Sequence, residues 1–191
     1  PVCAHYSECG GCQLQHWSTE NQVAFKQAAV LQQLELWGGV KPKHVLAPIT
    51  SADQGYRRCA RLGIDYTDGE VTLGFRKRTS KQLVQVNLCS VLAPELNRLL
   101  EPLKTWLTEL RAAEAVTHLE LIQTEQKTAV VLRHVQPLNE VDLQNLTALS
   151  VSLNFSAWLQ GGEAHQLQDL NGQNVDPRMS YRLPDYDLEL D

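Results

Sequence analysis

No stretch of about 18 apolar residues occurs in this chain, and no charged segment followed by an apolar one opens it. The sequence therefore predicts neither a membrane span nor an export leader. Cysteine is scarce as well: five residues, unevenly placed, are too few for a secreted disulfide scaffold, and an odd count favours a reducing, cytoplasmic compartment. The glycine-rich dinucleotide fingerprint, the P-loop and the nucleophile elbow are all missing. Glu120 and Glu125 form no defensible acid/base pair. Of the six scattered histidines, His118 and His134 read as ordinary strand residues, and only His16 lies close to the cysteines. The chain opens on Pro1 without an initiator methionine and stops at Asp191 inside the alternating run Tyr186-Asp187-Leu188-Glu189-Leu190, which reads as a piece of a longer protein. Its 191 residues can bury a core as one domain or two small ones, with 18–112 and 113–191 as candidate subdomains.

What is present is concentrated at the N-terminus. Cys3, Cys9 and Cys12 fall within the first twelve residues, with Gly10-Gly11 between the last two, and Cys89 follows after 76 intervening residues. So short an opening cannot bury three thiols as core, and the glycines let the backbone fold thiolates onto one centre. Four thiolates suit tetrahedral zinc or an iron-sulfur cluster. Zinc sites more often use two short knuckles, so the asymmetric spacing favours a 4Fe-4S centre over zinc, with disulfides or free thiols as further alternatives. The fifth cysteine, Cys59, fits a reduced residue buried as a small apolar side chain.

The formal net charge of −5 argues mildly against a nucleic-acid partner, but the average conceals an asymmetry. Arg57, Arg58, Arg61, Arg76, Lys77, Arg78 and Lys81 stand against only Asp65, Asp68 and Glu70, while the rest of the chain holds ten basic and 19 acidic residues. The basic segment reads as a hairpin closed on Asp68-Gly69, pairing Tyr66 with Val71, Ile64 with Leu73 and Leu62 with Phe75 on one apolar face. Continued along the same register, Arg61 falls opposite Arg76, Cys59 opposite Arg78 and Arg57 opposite Ser80. Like charges across a ladder repel, so the face either binds an anion, for which arginine is well shaped, or is a solvated edge.

Elsewhere, Thr19 and Gln22 suggest a capping box for a helix with Val23, Val30, Leu31, Leu34 and Trp37 on one core-facing stripe, ended by Gly38-Gly39. Leu96, Leu99, Leu100, Leu103, Trp106, Leu107 and Leu110 form a second stripe, opened by Pro94 and kinked or divided by Pro102. A further hairpin is expected over Thr117–Thr124 and Ala129–His134, then a short helix from the cap Asn139 to about Ala148, then a strand on Val151, Leu153 and Phe155. Gly161-Gly162, Asn171-Gly172 and Asp176-Pro177 mark later turns. The fold class is α+β, antiparallel hairpins with packed helices behind an iron-sulfur-type N-terminal cysteine loop.

Four segments together carry a family resemblance: Pro1-Val2-Cys3-Ala4-His5-Tyr6 with Cys9-Gly10-Gly11-Cys12-Gln13-Leu14-Gln15-His16, Gly55-Tyr56-Arg57-Arg58-Cys59-Ala60-Arg61-Leu62, Leu73-Gly74-Phe75-Arg76-Lys77, and Cys89 with Leu92-Ala93-Pro94. In order and composition the chain resembles the bacterial 23S rRNA (uracil-5-)-methyltransferases, within them the iron-sulfur branch that acts at U1939. The resemblance implies a central domain, 1–191, of a longer enzyme whose oligonucleotide-binding barrel and catalytic domain lie outside it. It implies Cys3, Cys9, Cys12 and Cys89 as 4Fe-4S ligands, with residues 1–17 and Cys89 as the cluster loop. It further implies rRNA contacts from Arg57, Arg58, Arg61, Arg76, Lys77 and Arg78, a cytoplasmic monomer, and no membrane. Where the family commonly reads Arg-Arg-Arg-Ala-Arg, this chain has Arg57-Arg58-Cys59-Ala60-Arg61, so one cation is missing and Cys59 is no ligand by resemblance. The family's reaction moves a methyl group from S-adenosylmethionine to uridine C5 after a cysteine adds to C6 of an extruded base. No residue of this chain is assigned to those steps, so the chain is expected to position RNA and not to catalyse; a structural or redox-sensing iron-sulfur module and a zinc-binding interaction domain are the alternatives.

Overall fold

The computed structural model describes every residue except Asp68, 112–113, 162–165, 184–187 and 191. Its centre is a six-stranded sheet built from β1 (Cys59–Thr67), β2 (Glu70–Arg76), β3 (Leu83–Gln85), β4 (Val116–Gln123), β5 (Thr128–His134) and β6 (Ser156–Gly161), in the order β3-β2-β1-β4-β5-β6. β1 pairs with β4, so one sheet joins the segments on either side of 112–113. All neighbours are antiparallel except β5 and β6. A small separate ladder joins β7 (Tyr181–Leu183) to β8 (Leu188–Leu190).

The β1–β2 register is the expected one, with Tyr66 opposite Val71 and Ile64 opposite Leu73. Thr67 pairs with Glu70, and Gly69 between them takes a φ of 80°; Asp68, the other residue of the expected turn, lies outside the described residues. Leu62 and Leu73 are fully buried, and Ile64, Val71 and Phe75 pack on the same core. The ladder stops at Gly63–Gly74, however. Beyond it Phe75 and Arg76 pair with Val84 and Leu83 of β3, while Arg61 pairs with Glu120 of β4, Cys59 with Ile122, and Arg57 bridges Leu92. The expected oppositions of Leu62 with Phe75, Arg61 with Arg76, Cys59 with Arg78 and Arg57 with Ser80 thus lie outside the β1–β2 ladder. Each strand also pairs along its other edge, as Gly74 does with both Gly63 and Gln85, and a hairpin reading cannot anticipate where the β1–β2 ladder stops. Gly74 permits the close approach of β3: a Cβ there would lie 1.8 Å from the Val84 carbonyl oxygen.

The leucine stripe is buried as expected, but on two helices, α2 (Pro94–Asn97) and α3 (Leu100–Thr108). The break falls at 98–99 and not at Pro102. Pro102 sits in the first turn of α3, where its missing N–H has no intrahelical partner to lose. Asn139 caps α4 (Glu140–Ser152) by accepting from the Asp142 N–H at 2.9 Å. This helix runs past Ala148 and absorbs Val151, so the strand begins at Ser156. Leu153 is the helix C-cap, and Asn154 has a φ of 50° that turns the chain into β6. α4 is the crossover that makes β5 and β6 parallel.

The first helix, α1 (Thr19–Gly38), departs most from expectation. Its N-cap is Ser18, whose hydroxyl accepts from the Asn21 N–H, and Gly39 ends it in the left-handed region. None of its residues is buried; Trp37 is 87% exposed, so its stripe is not core. α1 is tied to the cysteine segment instead, through the edge-on contact of Trp17 with Phe25 at 5.1 Å.

Candidate functional site

The cysteine loop is laced onto the end of β2. Cys9 N–H donates to the His5 carbonyl at 2.8 Å, making a tight turn after Cys3, whose own carbonyl accepts from Tyr6. Cys9 then bridges Lys77, Gly10 N–H donates to the Arg76 carbonyl at 2.9 Å, and Arg78 N–H donates to the Glu8 carbonyl at 2.9 Å. A Cβ on Gly10 would sit 3.1 Å from the Arg76 oxygen, which is the steric reason for glycine there. Lys77 adds an ion pair to Glu8 at 3.1 Å.

The Arg78 side chain completes the attachment. Its Nη2 donates to the carbonyls of Cys12 at 2.8 Å and Tyr6 at 2.9 Å, and its Nε to that of Cys9 at 3.2 Å. The guanidinium also lies 4.7 Å from the centre of the Tyr6 ring, whose hydroxyl meets the Gln13 carbonyl and His16 Nδ1, both at 2.6 Å. Three carbonyls converging on one cation turn the loop into a small cage. His16 thereby serves the loop through Tyr6.

Cys89 is held from the opposite side by Asn97 of α2. The Asn97 Oδ1 accepts from the Cys89 N–H at 2.8 Å, while its Nδ2 donates to the carbonyls of Cys89 at 2.9 Å and Leu92 at 3.0 Å. Cys9 and Cys12 pack against the core that contains Cys89. Burial pushes the Cys12 thiol above its ordinary value; the Gln15 side chain opposes this, Cys89 and Cys9 add to it, and Arg57 opposes it. Cys9, Cys12 and Cys89 thus share one neighbourhood, with Gln15 bridging towards Ser90. All five cysteines are free thiols, and among the described residues no three His, Cys, Asp or Glu side chains close to metal-binding distance. Cys3 lies in the same loop, where its carbonyl accepts from the Tyr6 N–H at 3.2 Å. The donor chemistry nonetheless suits a thiophilic centre. At Cys12 burial outweighs the Gln15 side chain and the Arg57 charge, which act in favour of a thiolate, and the Gly11 N–H points at Cys9 Sγ at 3.4 Å.

The other basic residues are placed as follows. Arg58 pairs with Glu125, and Arg61 Nε lies 3.6 Å from Glu120. Arg57 is half-buried between the loop and β1, its backbone bonded to Val91 and Ala93. Arg76 is exposed. Cys59 is exposed and not a buried apolar residue, because Ala60 and Leu62 take the core face of β1 and leave Cys59 and Arg61 on the other; its thiol is still crowded enough to be pushed up, first by desolvation and then by Glu120. Asn97 is a functional side chain absent from the sequence-based candidates, its one signal being a polar residue inside the leucine stripe. Arg78 is among those candidates as an RNA contact, and its bonds to the loop carbonyls are a separate role.

No family model matches the chain. Curated relatives do. A 23S rRNA (uracil(1939)-C(5))-methyltransferase RlmD of Alcanivorax borkumensis is 35% identical over 192 residues, which is all of this chain and 43% of the relative. An RlmD of Vibrio cholerae is 40% identical over 175 residues, or 91% of this chain and 39% of the relative. Over nearly its whole length the chain is similar to a stretch of these RlmD methyltransferases. It spans about two fifths of the length of these RlmD relatives. Among solved structures, the Pyrococcus abyssi tRNA (uracil-54, C5)-methyltransferase, in complex with S-adenosyl-L-homocysteine, matches 95% of this chain and 44% of its own with a TM-score of 0.60. At 19% identity that likeness shows the fold alone, a mixed α/β unit with a mostly antiparallel sheet.

Proposed function

We propose that this chain is the iron-sulfur and RNA-positioning part of a 23S rRNA (uracil-C5) methyltransferase. Cys3, Cys9, Cys12 and Cys89 are the residues that would hold a 4Fe-4S cluster. The observation that carries this reading is the lacing of the loop onto residues 76–78, which brings Cys9 and Cys12 to Cys89 across more than seventy residues of sequence. When bound, the cluster supplies iron–thiolate bonds that close this long loop, a constraint that acts most strongly on the unfolded chain. The protein's own share is to present the thiols: Gly10 and Gly11 shape the turn, Arg78 gathers the carbonyls, and Asn97 fixes the Cys89 peptide.

In this reading the face comprising Arg57, Arg58, Arg61, Arg76, Lys77 and Arg78 lies against rRNA and orients it towards a catalytic domain that supplies S-adenosylmethionine and the C6 nucleophile. Phosphate contacts of this kind fix register and leave sequence choice to base contacts elsewhere. The chain acts as a monomer in the cytoplasm; among the described residues no helix is long and apolar enough to cross a membrane.

A second reading has its own support. Arg78, Lys77 and Arg58 are already engaged by carbonyls, Glu8 and Glu125, which fits a cysteine centre that serves as a structural staple. Anaerobic purification separates the readings. The first expects stoichiometric iron and sulfide together with salt-dependent binding of an rRNA stem-loop. Iron with no RNA affinity, in this chain and in the full-length enzyme, leaves the staple, and stoichiometric zinc after iron reconstitution overturns the cluster.

A further inference from the structure

Among the described residues, the sheet face turned away from α2, α3 and α4 is covered over one half. Over β5 and β6 it is closed by Trp158 packed with Leu167, Val175 and Met179. Over β1, β2 and β4 it is open, and there a groove of about 860 Å³ is lined by Arg61, Arg76, Lys81, Gln82, Thr117 and His118, with the Gly63–Gly74 pair at its base. Leu83 fills the space above Gly63.

Charge in this groove is unbalanced towards the positive. The groups facing His118 are Arg61 from β1, Arg76 from β2, Arg133 from β5 and Glu120 from its own strand, and Lys81 and Asp65 complete the groove wall. Glu120 is shared with Arg61 at 3.6 Å, and Asp65 accepts from the Thr67 hydroxyl at 3.3 Å. Arg76 and Lys81 are exposed and form no ion pair among the described residues. The His118 ring meets Thr117 Oγ1 through Nδ1 at 3.2 Å, which leaves Nε2 for a ligand.

We propose that this groove is an anion site that takes a backbone phosphate of RNA through Arg76, Lys81 and His118 Nε2, with Arg61 shared between that phosphate and Glu120. Two guanidinium groups and an ammonium around one open concavity match a phosphate in charge and in hydrogen-bond geometry. The residues belong to β1, β2, β4 and the loop before β3, so the site exists only once the sheet has formed. The anion site stands on this geometry alone, whereas RNA as the source of the phosphate rests on the function proposed above.

The groove also couples binding to pH. In the free protein the His118 imidazole is held below its ordinary value by burial first and then by Arg61, Arg133 and Arg76, against a smaller opposing effect of Glu120. A bound phosphate brings negative charge to that environment and raises the value. Binding then takes up a proton, and affinity rises as pH falls from above the bound-state value to below the free one.

The test uses this 191-residue chain with two probes, inorganic tripolyphosphate and a short single-stranded RNA, while the His118 ring resonances are followed against pH by NMR. Both probes are expected to move the His118 titration upward. An Arg76→Ala/Lys81→Ala double variant is expected to bind either probe on the order of tenfold more weakly at low salt, with a salt slope for the RNA shallower by roughly 0.7 for each phosphate no longer neutralised. Lys26→Ala, far along the chain on α1, serves as the control. A His118 titration unmoved by both probes overturns the groove, and if RNA still binds, the wider RNA reading survives it. Movement with tripolyphosphate alone and no RNA affinity keeps the anion site and overturns RNA as its ligand.

Discussion

Arg78 and Cys12 are joined across the chain by a 2.8 Å hydrogen bond from the guanidinium Nη2 to the cysteine carbonyl. A residue that reads in sequence as one more cation of a basic hairpin is thereby a structural element of the cysteine loop. Replacing it with alanine strands the Cys12 and Tyr6 carbonyls and removes the cation over the Tyr6 ring. Arg78→Ala is expected to lower stability by about 1–3 kcal/mol, and to speed amide exchange selectively in residues 3–17. Arg78→Lys should rescue little, because one ammonium cannot reproduce the planar fork. Hydrogen exchange followed by mass spectrometry checks this, and uniform exchange across the chain would count against the cage.

Asn97 and Cys89 separate two roles at the other side of the site. In metal-free protein Asn97→Ala leaves the Cys89 N–H and two carbonyls without their partner, at a cost of about 2 kcal/mol. Cys89→Ser keeps that backbone bracket and should cost less in metal-free protein. In anaerobically reconstituted protein the order reverses, because only Cys89→Ser removes a thiolate. Denaturant titration of both variants, with and without iron, reads the crossover.

Gly63 and Gly74 are opposite each other in the ladder yet differ in what surrounds them. A methyl group on Gly74 meets the Val84 backbone at 1.8 Å, while one on Gly63 meets the Leu83 side chain at 2.9 Å. A backbone strand cannot step aside as a leucine rotamer can. Gly74→Ala is therefore expected to cost about 3 kcal/mol and to detach β3, with Gly63→Ala costing about 1 kcal/mol. Equal thermal shifts for the two would contradict the close β2–β3 approach.

Among the described residues Tyr66 is the phenol whose ionisation is strongly displaced. Desolvation, followed by Glu114, pushes it up to about 12, and its buried hydroxyl has no hydrogen-bond partner within that described set. The folded value lies above the unfolded one, so folding favours the neutral phenol. That stabilisation is complete below the unfolded value of 10.0 and is lost as pH rises through about 12. Ultraviolet difference titration should show one tyrosine ionising late. Tyr66→Phe should leave stability at neutral pH unchanged or slightly raised, and should remove this part of the alkaline loss.

Local pattern was enough for the two antiparallel hairpins, for the leucine stripe and for the Asn139 cap, because each depends on residues within one or two turns of chain or on a period-two alternation. The same locality explains the misses. Val151, Leu153 and Phe155 alternate, but Val151 ends a helix and Leu153 caps it, since α4 must span the sheet before β6 can lie parallel to β5. The stripe of α1 is much weaker than that of α3 and none of it is buried; shared helical spacing alone does not say that a face will meet the core.

The sequence by itself determined the cysteine set, the cluster of cations and the family they resemble, because these are matters of residue type and order. Only the tertiary structure decided what those residues face. Arg61 met Glu120 and not Arg76, Arg78 turned inward to three carbonyls, and Arg76, Lys81 and His118 were left around an open groove. Partner choice depends on strand neighbours separated by dozens of residues, and no local spacing encodes which of them folding will bring together.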